Sequence, residues 1–357
     1  MSVLDKYFDN AVQLLSKLIE TESLSKQEDK TADIIENFLV DNKVKPNRLK
    51  NNVWASNVYY DPKKPTILLN SHHDTVKPNS GYTRDPFKAT IEDGILYGLG
   101  SNDAGGCLVS LIQAFLYFYD KKDLNYNIII AATAEEEISG KGGIELLYPE
   151  LGNIDFGIIG EPTLMDAAVA EKGLMVLDGV VTGKAGHAAR EEGTNAIYKA
   201  MNDIDWFSSY KFSKTSEFLG DVKMSMTVIN SGKQHNVVPD TCNYVIDVRL
   251  TDKYSHEDAL KIIRENILGE VTPRSTRIKP SFINKDHPIV QAAIKNGAKT
   301  YGSPTTSDQA LIPCTTLKMG PGDSARSHTP DEFIYVKEIK EGVEKYINIL
   351  SEIMISE

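Results

Sequence analysis

The sequence predicts an α/β protein: a mostly parallel sheet flanked by helices, with an α+β unit inserted into it. Three apolar segments of the length of buried strands, at residues 66–70, 127–134 and 155–159, each run directly into acidic or histidine residues. Beyond about Lys172 the continuous apolar runs give way to alternating ones, which indicates a second kind of sheet.

Two helices are predicted at the start of the chain, each by an apolar face. Their apolar side chains are Val12, Leu14, Leu15, Leu18 and Ile19 in the first and Ala32, Ile34, Ile35, Phe38 and Leu39 in the second. Strand patterns follow at residues 53–60 and 66–70. The glycine-rich residues 97–106 then lead into an apolar helix, so tight backbone turns are expected before that helix. A loop that merely requires glycine is the alternative.

Residues of the types that bind metals follow each of the three apolar strands. They are His72 and Asp74 after the first, Glu135, Glu136 and Glu137 after the second, and Glu161 after the third. The carboxyl ends of the strands form the ligand crevice of an open α/β sheet, so we expect these side chains to converge. Adjacent carboxylates repel one another unless a cation neutralises them. The sequence therefore predicts a catalytic metal centre.

The inserted unit is predicted to have the order β-α-β-β-α-β. Its strands are expected at residues 174–182, 223–229, 243–250 and 278–282, and its helices at 194–209 and 256–268. After residue 286 the pattern returns to a helix at 289–301, a strand at 315–319 and a last helix at 336–353. The predicted domains are therefore residues 1–173 and 286–357 as one catalytic domain, with residues 174–285 inserted.

Composition excludes several classes of function. The chain has 357 residues, 41% of them hydrophobic, which suffices for a large core and two domains. Its formal charge of -11 argues against a nucleic-acid partner. No apolar run approaches the roughly 18 residues that span a membrane, so no membrane association is expected. Three cysteines without CxxC spacing argue against disulfides and a thiolate zinc site, and they favour a reducing cytoplasm.

A hydrolytic zinc site requires nitrogen and oxygen ligands and an open position for water. In an extended segment His72 and Asp74 share one face, so the Asp74 carboxylate can hydrogen-bond the far ring nitrogen of His72 and fix its tautomer. Two solvated polar residues at a strand end are the alternative. His73 points the other way and is expected to be structural.

The remaining acids also allow two interpretations. Asp103, in the glycine-rich turn, is able to bridge two metals roughly 3.5–4 Å apart, or it is a turn former. If the strand geometry persists, Glu136 and Glu137 point to opposite faces, so one can bind metal while the other meets the attacking water. A solvated acidic loop is the alternative.

Taken together, these motifs resemble those of a known family. They are H-x-D at residues 72–74, the glycine-rich turn with Asp103, E-E at 136–137, G-E-P-T at 160–163 and H-T-P-D-E at 328–332. The chain resembles the dinuclear-zinc aminoacylase and carboxypeptidase family that includes acetylornithine deacetylase, succinyl-diaminopimelate desuccinylase and bacterial glutamate carboxypeptidase. The resemblance covers about residues 15–331 and implies a zinc-exopeptidase-like fold.

The resemblance implies two zinc ions, for which Co²⁺ or Mn²⁺ can substitute. It implies that Asp103 bridges them, that His72 and Glu161 complete one metal site, and that Glu137 and His328 complete the other. Glu136 would be the general base, and Asp74 would orient His72. The inserted unit looks like the lid and dimerisation domain of the family, which implies a homodimer.

Further matches lie in the inserted unit, at residues 183–187, 193–197, 236–239 and 247–249. They imply that His187 serves the site of the partner subunit and that Asn236 and Arg249 contact the substrate, with Arg249 as a bidentate carboxylate clamp. A salt bridge between Arg249 and Asp247 is the alternative. Gly320 and Gly322 are expected to line the pocket.

The chain also departs from the pattern of many family members. Leu99 and Gly105 stand where Arg and Lys are common, and Glu135 replaces the usual Asp. This variant and residues 306–310 look most like acetylornithine deacetylase and the related enzyme that acts on N-succinylornithine. The resemblance thus implies zinc-dependent hydrolysis of an N-acyl amino acid that releases ornithine for arginine biosynthesis, with the choice between acetyl and succinyl open.

Two other functions stay open. A metallo-dipeptidase or carboxypeptidase would use the same residues. A non-catalytic binding protein on the same fold would be expected to lose Glu136 or a metal ligand, and none is lost in this sequence.

Overall fold

The structure is a computed structural model that describes residues 3–190 and 192–355, and the chain divides into two compact units. The first comprises Met1–Val169, Ile283–Tyr301 and Ser307–Glu357, and the second comprises Ala170–Phe282 and Gly302–Thr306. The last of these segments was predicted to belong to the catalytic domain. The chain therefore passes between the units four times.

The elements are numbered in chain order. The helices are α1 (Val3–Ile19), α2 (Asp29–Asp41), α3 (Gly106–Phe118), α4 (Ile144–Leu147), α5 (Ala196–Ser209), α6 (His256–Asn266), α7 (Pro288–Lys295) and α8 (Val336–Met354). The strands are β1 (Asn47–Leu49), β2 (Asn52–Ser56), β3 (Thr66–His72), β4 (Thr90–Glu92), β5 (Ile95–Tyr97), β6 (Asn127–Thr133), β7 (Phe156–Ile159), β8 (Ala167–Glu171), β9 (Gly173–Thr182), β10 (Gly186–His187), β11 (Lys223–Ser231), β12 (Val237–Val238), β13 (Thr241–Leu250), β14 (Glu270–Pro273), β15 (Ser281–Phe282), β16 (Thr300–Ser303), β17 (Thr315–Lys318) and β18 (Phe333–Tyr335).

The main sheet of the first unit has the strand order β1-β2-β6-β3-β7-β17-β8. Its centre, β6-β3-β7-β17, is parallel, and the outer strands are antiparallel. Every residue of β3, β6 and β7 is buried, which explains why these strands read as continuous apolar runs. Helix α3 packs against β3, α1 and α8. The parallel centre thus presents three neighbouring carboxyl ends at one edge.

The second unit contains a four-stranded antiparallel sheet in the order β11-β13-β9-β14. The chain order β9, α5, β11, β13, α6, β14 is the predicted β-α-β-β-α-β, but the last strand is Glu270–Pro273 and not residues 278–282. β14 buries only Val271, so it carries little apolar signal, whereas the apolar Phe282 is exposed. Ser281 and Phe282 instead pair with Glu171 and Ala170 of β8.

Helix α7 is shorter than predicted. It ends at Lys295, and Gly297 follows in the left-handed conformation with φ of 88°, which is a common helix terminator. β16, which was not predicted, begins at Thr300 and pairs with β8. Within residues 3–190 and 192–355, no helix is both long enough and apolar enough to cross a bilayer.

Candidate metal centre

The predicted ligands meet at the edge of the sheet where β6, β3 and β7 end. His72 is the last residue of β3, Glu136 lies three residues beyond β6, and Glu161 lies two residues beyond β7. These strands are parallel neighbours, so their ends lie side by side. The structure thus brings together side chains that are far apart in sequence, as the strand pattern predicts.

Asp103 reaches this edge from the glycine-rich turn before α3. Gly100 has a φ of 75°, a conformation that side chains with a Cβ rarely adopt. A Cβ on Gly105 would lie 2.4 Å from the Gly100 carbonyl oxygen and 2.6 Å from Leu15 Cδ1. This close approach requires glycine at position 105. The tight turns expected from the sequence are present.

The acids and histidines form two overlapping groups. His72 Nε2 lies 3.4 Å from Asp103 Oδ1, 3.8 Å from Glu136 Oε2 and 3.9 Å from Glu161 Oε1. Ligand atoms of His72, Asp103 and Glu137 lie within 4.8 Å of one another, and so do those of His72, Glu136 and Glu161. His72 belongs to both groups, and Asp103 links the first of them to His328.

His328 completes the first group from the opposite side. Its Nε2 lies 2.9 Å from Glu137 Oε2 and 3.6 Å from Asp103 Oδ2. The hydrogen bond with Glu137 raises the pKa of His328 to about 9. Unlike His72, which is buried, His328 is 53% exposed and lies on a loop with φ of 60°.

The residues present fit a metal. His72 Nε2 is buried and has no hydrogen-bond partner in the described parts of the chain. The carboxylate oxygens around it lie 3.4–3.9 Å away, mostly too far for a hydrogen bond. Ligands that surround one zinc ion at about 2.0–2.2 Å lie at such distances from one another. A set of imidazole and carboxylate donors is also the set that catalytic zinc binds.

The electrostatics of the site favour a bound cation. Burial raises the pKa of Glu136 well above its usual range; Glu161 adds to this effect, and His72 opposes it. Burial works to lower the pKa of His72, but Glu136 and Asp103 outweigh it and raise this pKa well above its ordinary value. Glu136 and His72 therefore hold protons more tightly than the isolated groups would, and a metal cation would relieve the repulsion between the carboxylates.

Asp74 contacts His72 mainly through its backbone oxygen, whereas the prediction assigned this contact to its carboxylate. His72 Nδ1 donates to the Asp74 carbonyl oxygen at 3.0 Å, and the Asp74 carboxylate lies farther away at 3.4 Å. The carboxylate instead accepts hydrogen bonds from Ser25 Oγ at 2.7 Å and from the backbone N–H groups of Glu136 and Glu137 at 3.0 and 3.2 Å. Asp74 thus fixes the acidic turn, while its backbone orients the His72 ring.

The strand geometry assumed for Glu136 and Glu137 was wrong. β6 ends at Thr133, Glu135 adopts a left-handed conformation with φ of 57°, and Glu136–Ile138 form a single 3₁₀ turn. The turn forms because Glu135 folds back, so that its carboxylate accepts from Gly142 N at 3.1 Å. Glu136 and Glu137 nevertheless belong to different groups of the cluster.

His73 has the structural role expected of it. Its Nε2 donates to the Asn51 carbonyl oxygen at 2.8 Å, and its Nδ1 accepts from the Thr31 hydroxyl at 2.9 Å. Burial lowers the pKa of His73 to about 4. The neutral ring therefore links α2 to the residue before β2.

Three predicted site residues lie in the second unit. His187 of β10 pairs with Val237 of β12, and Asn236, which directly precedes β12, accepts at its backbone oxygen from Ala188 N at 3.0 Å, so exposed His187 and Asn236 lie near each other. Arg249 donates from Nε and Nη2 to the two carboxylate oxygens of Asp247 at 2.8 and 3.0 Å. The salt bridge left open by the sequence is therefore present, and substrate contacts by these residues stay predictions.

Gly320 and Gly322 lie in the first unit, against the segment that carries Glu161. Gly320 O accepts from Met165 N at 2.8 Å, and Gly322 O accepts from Leu164 N at 2.6 Å. A Cβ on Gly320 would lie 2.6 Å from the Glu161 carbonyl oxygen. Both glycines thus allow close packing behind Glu161, and their contact with substrate stays a prediction.

Glu332 was not predicted as a site residue. It is buried, and its carboxylate accepts from Gly100 N, Asn102 N and Asp103 N at 3.1, 2.8 and 2.9 Å. Burial raises the pKa of Glu332 to about 8, and the charge of Asp103 adds to this. The only signal in the sequence was its position in the H-T-P-D-E motif.

Comparisons with known proteins identify the family of this chain. A family model described as "Peptidase family M20/M25/M40" matches residues 68–352. Acetylornithine deacetylase from Proteus mirabilis (strain HI4320) is 28% identical over 288 residues, 75% of this chain and 74% of that protein. Succinyl-diaminopimelate desuccinylase 2 from Ruegeria sp. (strain TM1040) is 26% identical over 264 residues, 68% of this chain and 66% of that protein.

A solved structure shares the fold. The YxeP protein of Bacillus subtilis, described as a dinuclear metal-binding peptidase from the M20 family, superposes with a TM-score of 0.74 at 17% identity, covering 98% of both chains. The predicted fold class and the family resemblance are therefore confirmed.

We expect Asp74→Asn to destabilise the metal-free protein by about 1–3 kcal/mol. The NH₂ group of the asparagine would point at one of the N–H or O–H groups that now donate to the carboxylate, and two donors cannot form a hydrogen bond. Urea unfolding after chelation measures the change. Asp33→Asn is the control, because its carboxylate is 66% exposed beside Arg48, and it should cost less than about 1 kcal/mol. Equal stability of Asp74→Asn and the wild type would contradict this role.

Proposed function

Because the chain belongs to peptidase family M20/M25/M40 and is a hydrolytic enzyme, we propose that it uses two zinc ions to hydrolyse the amide bond of an N-acyl amino acid. The observation that carries the proposal is the pair of overlapping donor groups around His72 and Asp103. Asp103 faces both His72 and His328, as a bridging carboxylate must. Co²⁺ or Mn²⁺ can replace zinc at donors of this kind.

The ligand assignment in this proposal is the one that the family resemblance implies. We assign His72 and Glu161 to one metal and Glu137 and His328 to the other, with Asp103 shared. When bound, the two ions polarise the amide carbonyl and lower the pKa of the attacking water.

Glu136 is the general base in this proposal. Its carboxylate lies 3.8 Å from His72 Nε2, next to the residues assigned as ligands. It takes the proton of the attacking water and returns it to the leaving amine. Burial raises the pKa of Glu136, which strengthens it as a base.

Further residues contact the substrate in our proposal. Arg249 binds the α-carboxylate, for which its guanidinium must share or exchange the contact with Asp247. Asn236 contacts the substrate, and Gly320 and Gly322 line the pocket. His187 stabilises the oxyanion in the site of the partner subunit.

A homodimer is supported by the surface of the second unit. Exposed apolar side chains lie along one face of α5, at Ile197, Tyr198, Met201 and Ile204. β11, at the edge of the sheet, exposes Val228 and Ile229. An apolar helix face beside an unpaired edge strand suits a two-fold interface in which both copies contribute the same surface.

The proposed substrate is N-acetylornithine or N-succinylornithine, which would give ornithine for arginine biosynthesis. The support is the name of the acetylornithine deacetylase relative. The cytoplasm is the proposed location, which suits the free thiols of Cys107, Cys242 and Cys314.

A dipeptidase or carboxypeptidase is the second candidate, favoured by the peptidase with the same fold. A non-catalytic protein is disfavoured because Glu136 and all five ligands are retained.

We expect about two zinc ions per chain, and we expect chelation to abolish activity.

Glu136→Gln should keep its zinc and lose about 10²–10⁴-fold in kcat, because it removes only proton transfer. Glu137→Gln should instead lose zinc affinity. Metal analysis and kinetics on the same samples measure both effects. Zinc loss in Glu136→Gln with retention in Glu137→Gln would mean that the two roles are exchanged.

His187 should act across the dimer. His187→Ala and Glu136→Gln chains, each nearly inactive alone, should regain about a quarter of wild-type activity after subunit exchange, because half of the dimers then hold one intact composite site. Each variant mixed with itself is the control. An absence of rescue after exchange verified by mass spectrometry would refute the role in the partner site.

N-acylated ornithine should be the best substrate. The measurement is kcat/KM for N-acetylornithine, N-succinylornithine, N-acetylglutamate and a neutral dipeptide. If the dipeptide or acyl-glutamate is preferred by more than about tenfold, or about 1.4 kcal/mol in transition-state binding, the peptidase candidate replaces the deacylase.

A further inference from the structure

A buried carboxylate joins two of the strand ends that carry the proposed ligands. Asp308 is 3% exposed and lies in a 3₁₀ turn that no sequence motif connected to the metal centre. Its Oδ2 accepts a hydrogen bond from Asn70 Nδ2 at 2.9 Å and another from Thr133 Oγ1 at 2.6 Å. Asn70 lies two residues before His72, and Thr133 lies three residues before Glu136. One oxygen atom therefore links the end of β3 to the end of β6.

The third ligand-bearing strand is tied into the same layer. Asn70 O accepts from Gly160 N at 2.7 Å, and Ser71 Oγ donates to Gly160 O at 2.8 Å. Gly160 directly precedes Glu161. The polar contacts around Asp308 thus reach the backbone of all three strand ends.

The environment makes these contacts strong. Asn70 and Thr133 are fully buried, and hydrogen bonds to a carboxylate in such surroundings are shorter and stronger than bonds between neutral groups. The carboxylate can only accept, so it fixes Asn70 with Nδ2 toward Asp308. Asn70 Oδ1 is buried and has no hydrogen-bond partner within the described residues, so the bond to Asp308 is what orients this amide.

We propose that Asp308 is a positioning residue for the metal centre, which sets the separation of His72 from Glu136 and Glu137 by cross-linking Asn70 and Thr133. The proposal rests on the zinc-dependent function proposed above. Residues behind metal ligands typically contribute 10–100-fold in metal affinity when their contacts hold the ligands in place.

The test is the zinc dissociation constant of the full-length protein, measured by competition with a chromophoric chelator, together with the absorption spectrum of the Co²⁺ form. Asp308→Ala and Thr133→Val remove the cross-link and should each weaken zinc binding about 10-fold or more. Asp308→Asn retains an oxygen that can accept both bonds, so it should remain within about 3-fold of the wild type. Asp308→Ala and Thr133→Val together should weaken binding no more than either alone, because they remove the same link.

The matched control is Thr66→Val at the opposite end of the same strands. Thr66 is buried at the start of β3, beside the start of β6, and its Oγ1 accepts from Asn127 Nδ2 at 3.2 Å. It should lower thermal stability and leave the zinc affinity and Co²⁺ spectrum unchanged.

Three results would overturn the proposal. The first is a zinc affinity within twofold of the wild type in both Thr133→Val and Asp308→Ala, and the second is a loss of zinc affinity in Thr66→Val equal to theirs. The third is zinc binding by Asp308→Asn as weak as that by Asp308→Ala, which would indicate that the charge matters and not the cross-link. Failure of the wild type to bind zinc would refute the proposed function itself, so the two failures are distinguishable.

Discussion

Carboxylates within about 4 Å of one another in a buried site repel strongly, and much of the first unit serves to hold them in place against that repulsion. Three acids beside the proposed ligands are held by donors that carry no charge. Backbone N–H groups satisfy Asp74 and Glu332, and Asn70 and Thr133 satisfy Asp308. Parallel strands make this possible because their carboxyl ends offer backbone donors and short loops at one edge.

The neighbouring acids have different roles because their surroundings differ. Glu135 folds onto the glycines that follow it, Glu137 meets His328, and Glu136 borders His72. Three identical side chains in sequence therefore become a structural brace, a metal ligand and a base in the proposed function. The difference arises from the left-handed turn at Glu135, since a continued strand would have placed Glu135 and Glu137 on one face.

The sequence predicted what depends on local pattern. The buried strands were recognisable as apolar runs, and the residues after them therefore identified the edge at which His72, Glu136 and Glu161 meet. Contacts between distant segments were not recognisable. Glu332 binds the backbone of Gly100 from 232 residues away, and Asp308 binds Asn70 from 238 residues away. β14 was misplaced because Val271 alone gives it an apolar signal, and the turn at Glu135 depends on Gly142.

Because the chain passes between the units four times, the first unit is completed only after most of the second unit has been synthesised. A ribosome completes residues 170–282 before it releases His328 and α8, which packs against α3. During that interval the synthesised part of the chain contains β3, β6 and β7 but lacks β17, α8 and His328, which is the last of the proposed ligands in the sequence. The emerging chain therefore carries an unfinished core and an incomplete acid cluster. Synthesis order alone delays the assembly of the reactive centre until nearly the whole polypeptide exists.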